Sequence, residues 1–188
     1  MPDTEVLPAV GEPEAPADTA LLLAATYTLR RDRCVVEPSI RLLGIPVLRG
    51  RLTASSGRFD LLDDHEDRRL TFVLDAPSLR PSIKLLRRTL TGPRGLHAGD
   101  HPDITFTSDD VHLDADRVID ITGKADIAGT ARELRLRGDL RHVDDERIVL
   151  WAQGILPAPR RKRRGLGPIP RLLAARRIHL EIAAEFVR

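Results

Sequence analysis

The stretch from His101 to Leu140, HPDITFTSDDVHLDADRVIDITGKADIAGTARELRLRGDL, decides the fold. Within it, Ile119, Ile121, Gly123, Ala125 and Ile127 alternate with Asp120, Thr122, Lys124 and Asp126. An apolar residue at every second position gives a strand one face for a core and one for water. Ala128-Gly129-Thr130 supplies a turn, after which Leu134, Leu136, Gly138 and Leu140 alternate with Arg135, Arg137 and Asp139. Upstream, Ile104 and Phe106 alternate with Asp103, Thr105 and Thr107. Half-buried strands joined this closely form an antiparallel meander, because parallel neighbours need long crossovers.

Working outward, the same period recurs. Val47 to Ala54 reads as a strand, Ser55-Ser56-Gly57 as a turn, and Phe59 to Leu62 as the start of a returning strand. Asp63 to Asp67 is a charged hairpin tip, and Leu70, Phe72 and Leu74 alternate beyond it. Arg30 to Arg33 read as a charged turn or strand end before a mixed segment, Val35 to Ile45, in which Pro38 and Pro46 argue for edges or bends. Asp144 to Arg147 is a turn, Ile148 to Ile155 a strand with Trp151 on its outer side, and Ile178 to Phe186 a closing strand. One segment changes period. Ile83, Leu86 and Leu90 share a face of a short helix that has Pro81 in its first turn and is stopped by Gly92-Pro93. Leu172 to Arg176 could add a further helical turn or two. The expected fold is all-β, an antiparallel barrel of about eight strands with one or two short helical insertions. Closure would also remove exposed strand edges.

The 188 residues suit one domain plus a tail. Residues 1–19 hold Asp3, Glu5, Glu12, Glu14 and Asp18 without a Lys or Arg, and their Pro-rich, aperiodic composition predicts a disordered acidic tail ahead of a barrel domain at 20–188. The net charge of +2 therefore hides a basic remainder. Its densest part is 157–177, with Arg160, Arg161, Lys162, Arg163, Arg164 and Arg171 and no acid. This run reads as a solvated loop, or as a contact for anionic headgroups or for nucleic acid. Nucleic acid is the least expected of these, because the aromatics of a single-strand platform are missing.

Aromatics are 3% of the chain, so the core must be built of aliphatic residues. There is no P-loop, GxGxxG, GxSxG, HExxH or CxxC pattern, and the six histidines show no metal-ligand spacing. No catalytic residue, metal ligand or cofactor is assigned, and the chain reads as a non-enzyme. Cys34, the one cysteine, cannot form an internal disulfide. Its neighbours Arg30, Arg31 and Arg33 would activate the thiol if it were exposed. A small apolar filler is the alternative. No basic leader with a long apolar core precedes the domain, and nothing approaches a membrane span, so a cytoplasmic location is expected.

The remaining candidate site is the barrel interior. Inward positions predicted by the alternation are Ile104, Phe106, Ile119, Ile121, Leu134, Leu136, Leu150, Leu180 and Ile182, with Gly123, Ala125, Gly138, Ala152, Gly154 and Ala184 as small residues among them. Small residues either leave volume for an aliphatic chain or fit the taper and bending of the strands. The residues alone leave both open.

His101-Pro102-Asp103-Ile104-Thr105-Phe106-Thr107-Ser108 resembles the "YP-x-ITF-x-S" signature of the YceI-like, polyisoprenoid-binding family. Ile121 to Thr130 resembles its "VTG-x-LTI-x-GxT" hairpin, Val47 to Leu52 its "VRGRF" strand, and Leu96 before His101-Pro102 its "HL…YP" loop. The likeness covers about Thr26 to Val187. It departs at Asp32 to Ile40, which lack the family's His-Ser, and at Arg164 to Gly167, a reduced "R-x-D-FG". The resemblance implies a lipocalin-like barrel that carries a long isoprenoid or fatty-acyl chain without catalysis. It implies an apolar lipid as partner. The basic run adds transient contact at a membrane surface as an expectation, and a homodimer is a further one. The competing reading is a filled barrel whose basic loop binds a polyanion.

Overall fold

The computed structural model describes residues 24–62, 68–144, 146–157 and 177–188. Eight strands follow one another: β1 (Ala25–Leu42), β2 (Ile45–Leu61), β3 (Arg69–Pro81), β4 (Asp103–Leu113), β5 (Val118–Ile127), β6 (Thr130–Val143), β7 (Arg147–Leu156) and β8 (Ile178–Val187). Each pairs antiparallel with the next, and β1 pairs with β8 to close the barrel. The predicted meander is β4, β5 and β6. Its alternation matches the burial, since Ile119, Ile121, Leu134 and Leu136 are buried while Arg135 and Arg137 are exposed. The acidic tail, the 63–67 tip and the basic run with Arg160, Arg161, Lys162, Arg163, Arg164 and Arg171 lie outside the described residues.

Two expected breaks are absent. Arg30 to Arg33 do not end a strand; they form an irregularity within β1, where register with β8 shifts between Leu29 and Cys34. Ser55-Ser56-Gly57 is not a turn either, because β2 continues through it with a register shift against β3 between Ala54 and Ser56. The cause is the same in both cases. Strands of 18 and 17 residues must coil to stay on a closed surface, and bulges supply the extra bend. Gly57 serves a close approach there: a Cβ at this position would lie 3.1 Å from the Leu29 side chain and from the Thr71 carbonyl oxygen.

The helical insertion is shorter than its apolar pattern suggests. A 3₁₀ turn at Lys84–Leu86 leads into α1 (Arg87–Thr91), which Gly92 ends. Leu90 and Leu96 pack against the barrel core and Ala98 joins it, whereas Ile83 is exposed. Between β6 and β7, the Asp144 carboxylate accepts hydrogen bonds from the backbone N–H groups of Glu146 and Arg147 and meets the His142 ring at 2.8 Å. These contacts, His142 foremost, hold the carboxyl well below its ordinary range, at about 2.

The strand directions make the two ends of the barrel different places. One, the helix end, carries the β1–β2 hairpin, the β3–β4 connection with α1, the β5–β6 turn, and the ends of β7 and β8 that flank residues 158–176. The other, the termini end, carries the start of β1, the end of β8 and the remaining connections.

Candidate functional site

Eight of the nine predicted inward residues, Ile104, Phe106, Ile119, Ile121, Leu134, Leu136, Leu150 and Ile182, are buried in one core cluster. Leu180 is half-buried, packs against that cluster, and also borders an outer cleft with Gly154 and Glu181. The fold thus brings the whole set together on the inner wall.

The inner wall is graded along the barrel axis. Phe59, Phe72 and Phe186 meet edge to face, with centroids 5.6 Å apart in both the Phe59–Phe186 and Phe72–Phe186 pairs. Tyr27, opposite Phe59 in the β1–β2 register, adds a fourth buried ring. These residues sit close to the strand ends at the termini end, so aromatic bulk plugs that side. Phe106 faces Phe72 across the β3–β4 ladder. Toward the helix end the core cluster is aliphatic or alanine, with Ala76, Leu79, Ala98, Ile104, Ala125 and Leu156; Ile40 and Leu48 are buried outside that cluster.

The glycines do not leave lumen volume, contrary to one of the two readings offered above. A Cβ on Gly123 would collide with the Thr107 and Ser108 backbone and stand 2.9 Å from the Phe106 ring. One on Gly138 would collide with the backbone of Trp151 and Ala152, and one on Gly154 would stand 2.7 Å from Leu136 Cδ2. These positions let neighbouring strands close in, which is the bending role.

The same contacts explain the two sequence motifs. β4 and β5 lie side by side, with Thr105 opposite Asp126 and Ser108 opposite Gly123. The buried Ser108 hydroxyl accepts a 2.8 Å hydrogen bond from the Leu70 backbone N–H, just beyond the regular β3–β4 ladder. Ala128 and Gly129 both have positive φ, 54° and 69°, and a Cβ on Gly129 would press on the His101 ring at 3.0 Å. The motifs are therefore two halves of one packed corner. Sequence reading missed Ser108 as a ladder extension, although a polar residue at a position in phase with Ile104 and Phe106 was the available signal.

Cys34 is buried, and loss of hydration pushes its thiol up to about 11. This is the filler, not an activated thiol. Outward-facing Trp151 is half-buried beneath Arg141, whose guanidinium lies 4.5 Å from the ring centroid. Among the described residues, no group of three or more His, Cys, Asp or Glu comes together in a way that could hold a metal ion.

A family model described as the YceI-like domain matches residues 27–164. The chain belongs to the YceI-like family. The match stops short of β8, which the structure shows to be the closing strand. Solved structures share the fold. Burkholderia cenocepacia BcnA superposes with a TM-score of 0.62 at 18% identity, covering 84% of this chain and 98% of its own. A polyisoprenoid binding domain from Saccharophagus degradans, implicated in plant cell wall breakdown, gives 0.61 at 14% identity, covering 88% and 98%. No curated protein matches the sequence. The YceI-like barrel here has the family's topology, with the aromatic plug and the aliphatic half described above as its own inner surface.

Proposed function

We propose that this YceI-like barrel is a non-catalytic carrier that holds a long apolar lipid, of isoprenoid or fatty-acyl type, in the helix-end half of its interior. The observation that carries the reading is the gradient of the inner wall. In this reading the ring-bearing termini end is the closed one, and a linear or methyl-branched chain enters end-on from the aliphatic helix end, displacing or spreading the side chains packed there. Burying a chain in such a wall is favourable by about 0.8 kcal/mol per CH₂. Affinity would therefore follow chain length until the chain reaches Phe72 and Phe106. The Saccharophagus degradans domain, a polyisoprenoid binder by its description, supports the ligand class. The competing polyanion reading rests on Arg160 to Arg171, outside the described residues.

Native mass spectrometry of the purified protein, followed by denaturing extraction, tests the proposal. A co-purifying apolar molecule released on unfolding, or uptake of an offered isoprenoid or fatty acid at one per barrel, is expected. A clean apo mass with no uptake from either series would overturn it.

A further inference from the structure

The helix end carries a surface that the interior does not explain. The β1–β2 hairpin turns at Leu43-Gly44, with φ of 51° and 83°, between paired Leu42 and Ile45. A two-residue turn with both residues left-handed is the type I′ hairpin, which Asn-Gly fits and a leucine fits badly. Leu43 is nonetheless there, 94% exposed, with Ile45 and Val47 exposed behind it. Beside the hairpin, the Ser82 backbone N–H donates to the Arg49 carbonyl at 2.8 Å, which seats the 3₁₀ turn against β2. That turn presents Ile83 and Leu85, the latter 90% exposed.

Cations adjoin Leu85 directly. Lys84, Arg87 and Arg88 line an open cleft of about 700 Å³ together with Leu85, Pro77, Thr91, Ala98 and Gly99. From Pro38 to Phe59, and again from Ala76 to Gly99, the chain contains no acid. The acids nearest this end are Asp75, opposite Asp103 in the β3–β4 ladder, with Asp100 and Asp126, and Glu133 and Glu181 near the starts of β6 and β8. The termini end is different in character, with Asp114, Asp116, Asp144 and Glu146 in its connections.

We infer that the helix end is a docking surface for an anionic lipid bilayer, with Leu43, Ile45, Ile83 and Leu85 entering the headgroup layer and Lys84, Arg87 and Arg88 contacting headgroup phosphates. A leucine held in a left-handed turn and fully in water is unfavourable twice over, by conformation and by exposure. Insertion into a bilayer interface removes the second cost. Basic side chains beside the inserted residues match an anionic bilayer surface. The inference rests on the carrier reading only for its purpose, exchange of lipid at the helix end. The docking itself stands on the surface residues.

Flotation of the full chain with phosphatidylcholine vesicles, with and without phosphatidylglycerol, tests it. The wild type is expected to float with the anionic vesicles and to be released by salt. A Leu43→Asn, Leu85→Ser variant should lose at least about tenfold in partitioning, and Asn at position 43 suits the turn, so the fold survives. K84Q/R87Q/R88Q should lower binding and flatten its salt dependence. Equal recovery with anionic and neutral vesicles, or unchanged binding by the leucine variant, would overturn the inference. So would a concentration-dependent dimer that Leu43→Asn dissociates, which would assign the patch to a second copy of the chain. Failure here leaves the lipid-uptake result untouched, and failed lipid uptake leaves vesicle binding to be read independently.

Discussion

Single atoms decide two features of this barrel. The Ser108 hydroxyl stands in for a backbone acceptor at Leu70, in a place where no water can substitute. Ser108→Ala would leave a buried N–H unpaired and should destabilise the protein by about 1–3 kcal/mol, measured by urea unfolding with an unchanged slope. Cys34 shows the opposite economy, a polar group kept neutral by burial. The folded state holds the thiol proton up to about 11, against an ordinary value of 9.0. Above the lower value the unfolded chain sheds its proton and the folded chain does not, so stability falls as pH rises through that window. A Cys34→Ala variant should show a shallower alkaline decline in melting temperature. The native thiol should react with a disulfide reagent only as fast as the barrel opens.

Turns and strands differ in how openly the sequence declares them. β4, β5 and β6 are legible because each has one wet face and keeps its phase over most of its length, so polar and apolar residues alternate over several pairs, with Ser108 and the shift after it in β4 as the departures. β1 and β2 are not, since a long strand that bulges shifts its phase, and Arg30 to Arg33 and Ser55 to Gly57 then look like ends. No local pattern distinguishes a bulge from a turn when closure of the whole ring is what demands it. The inward residues were legible from period two alone. The gradient between aromatic and aliphatic halves was not, because it depends on which strand ends lie together. The Ala128-Gly129 turn offers a test of local conformation. Asn tolerates positive φ better than Ala, so Ala128→Asn should raise stability by about 0.5–1 kcal/mol, read as an increased denaturant midpoint.

At the scale of the molecule, closure is the property on which the rest depends. β8 supplies Ile182, Ala184 and Phe186 to the core and pairs with both β1 and β7. Deleting residues 178–188 would remove one ring of the aromatic plug and bare two long edges. The truncated chain should be aggregated or unfolded, as judged by circular dichroism and size-exclusion chromatography. A truncated chain that stays monomeric and folded would contradict the closed architecture.

Every ladder but one joins strands adjacent in sequence, and the exception, β1 with β8, brings Thr28 opposite Val187. The ring consequently has no structurally privileged beginning. A short peptide bridging the start of β1 and the end of β8, with a new opening cut at Asp114 to Arg117, would keep all eight ladders while making β5 the first strand and β4 the last. Such a circular permutant would exchange a long-range closure for a local hairpin at one seam and create a long-range one at the other. The order in which the barrel zips would become a matter of where the chain was opened.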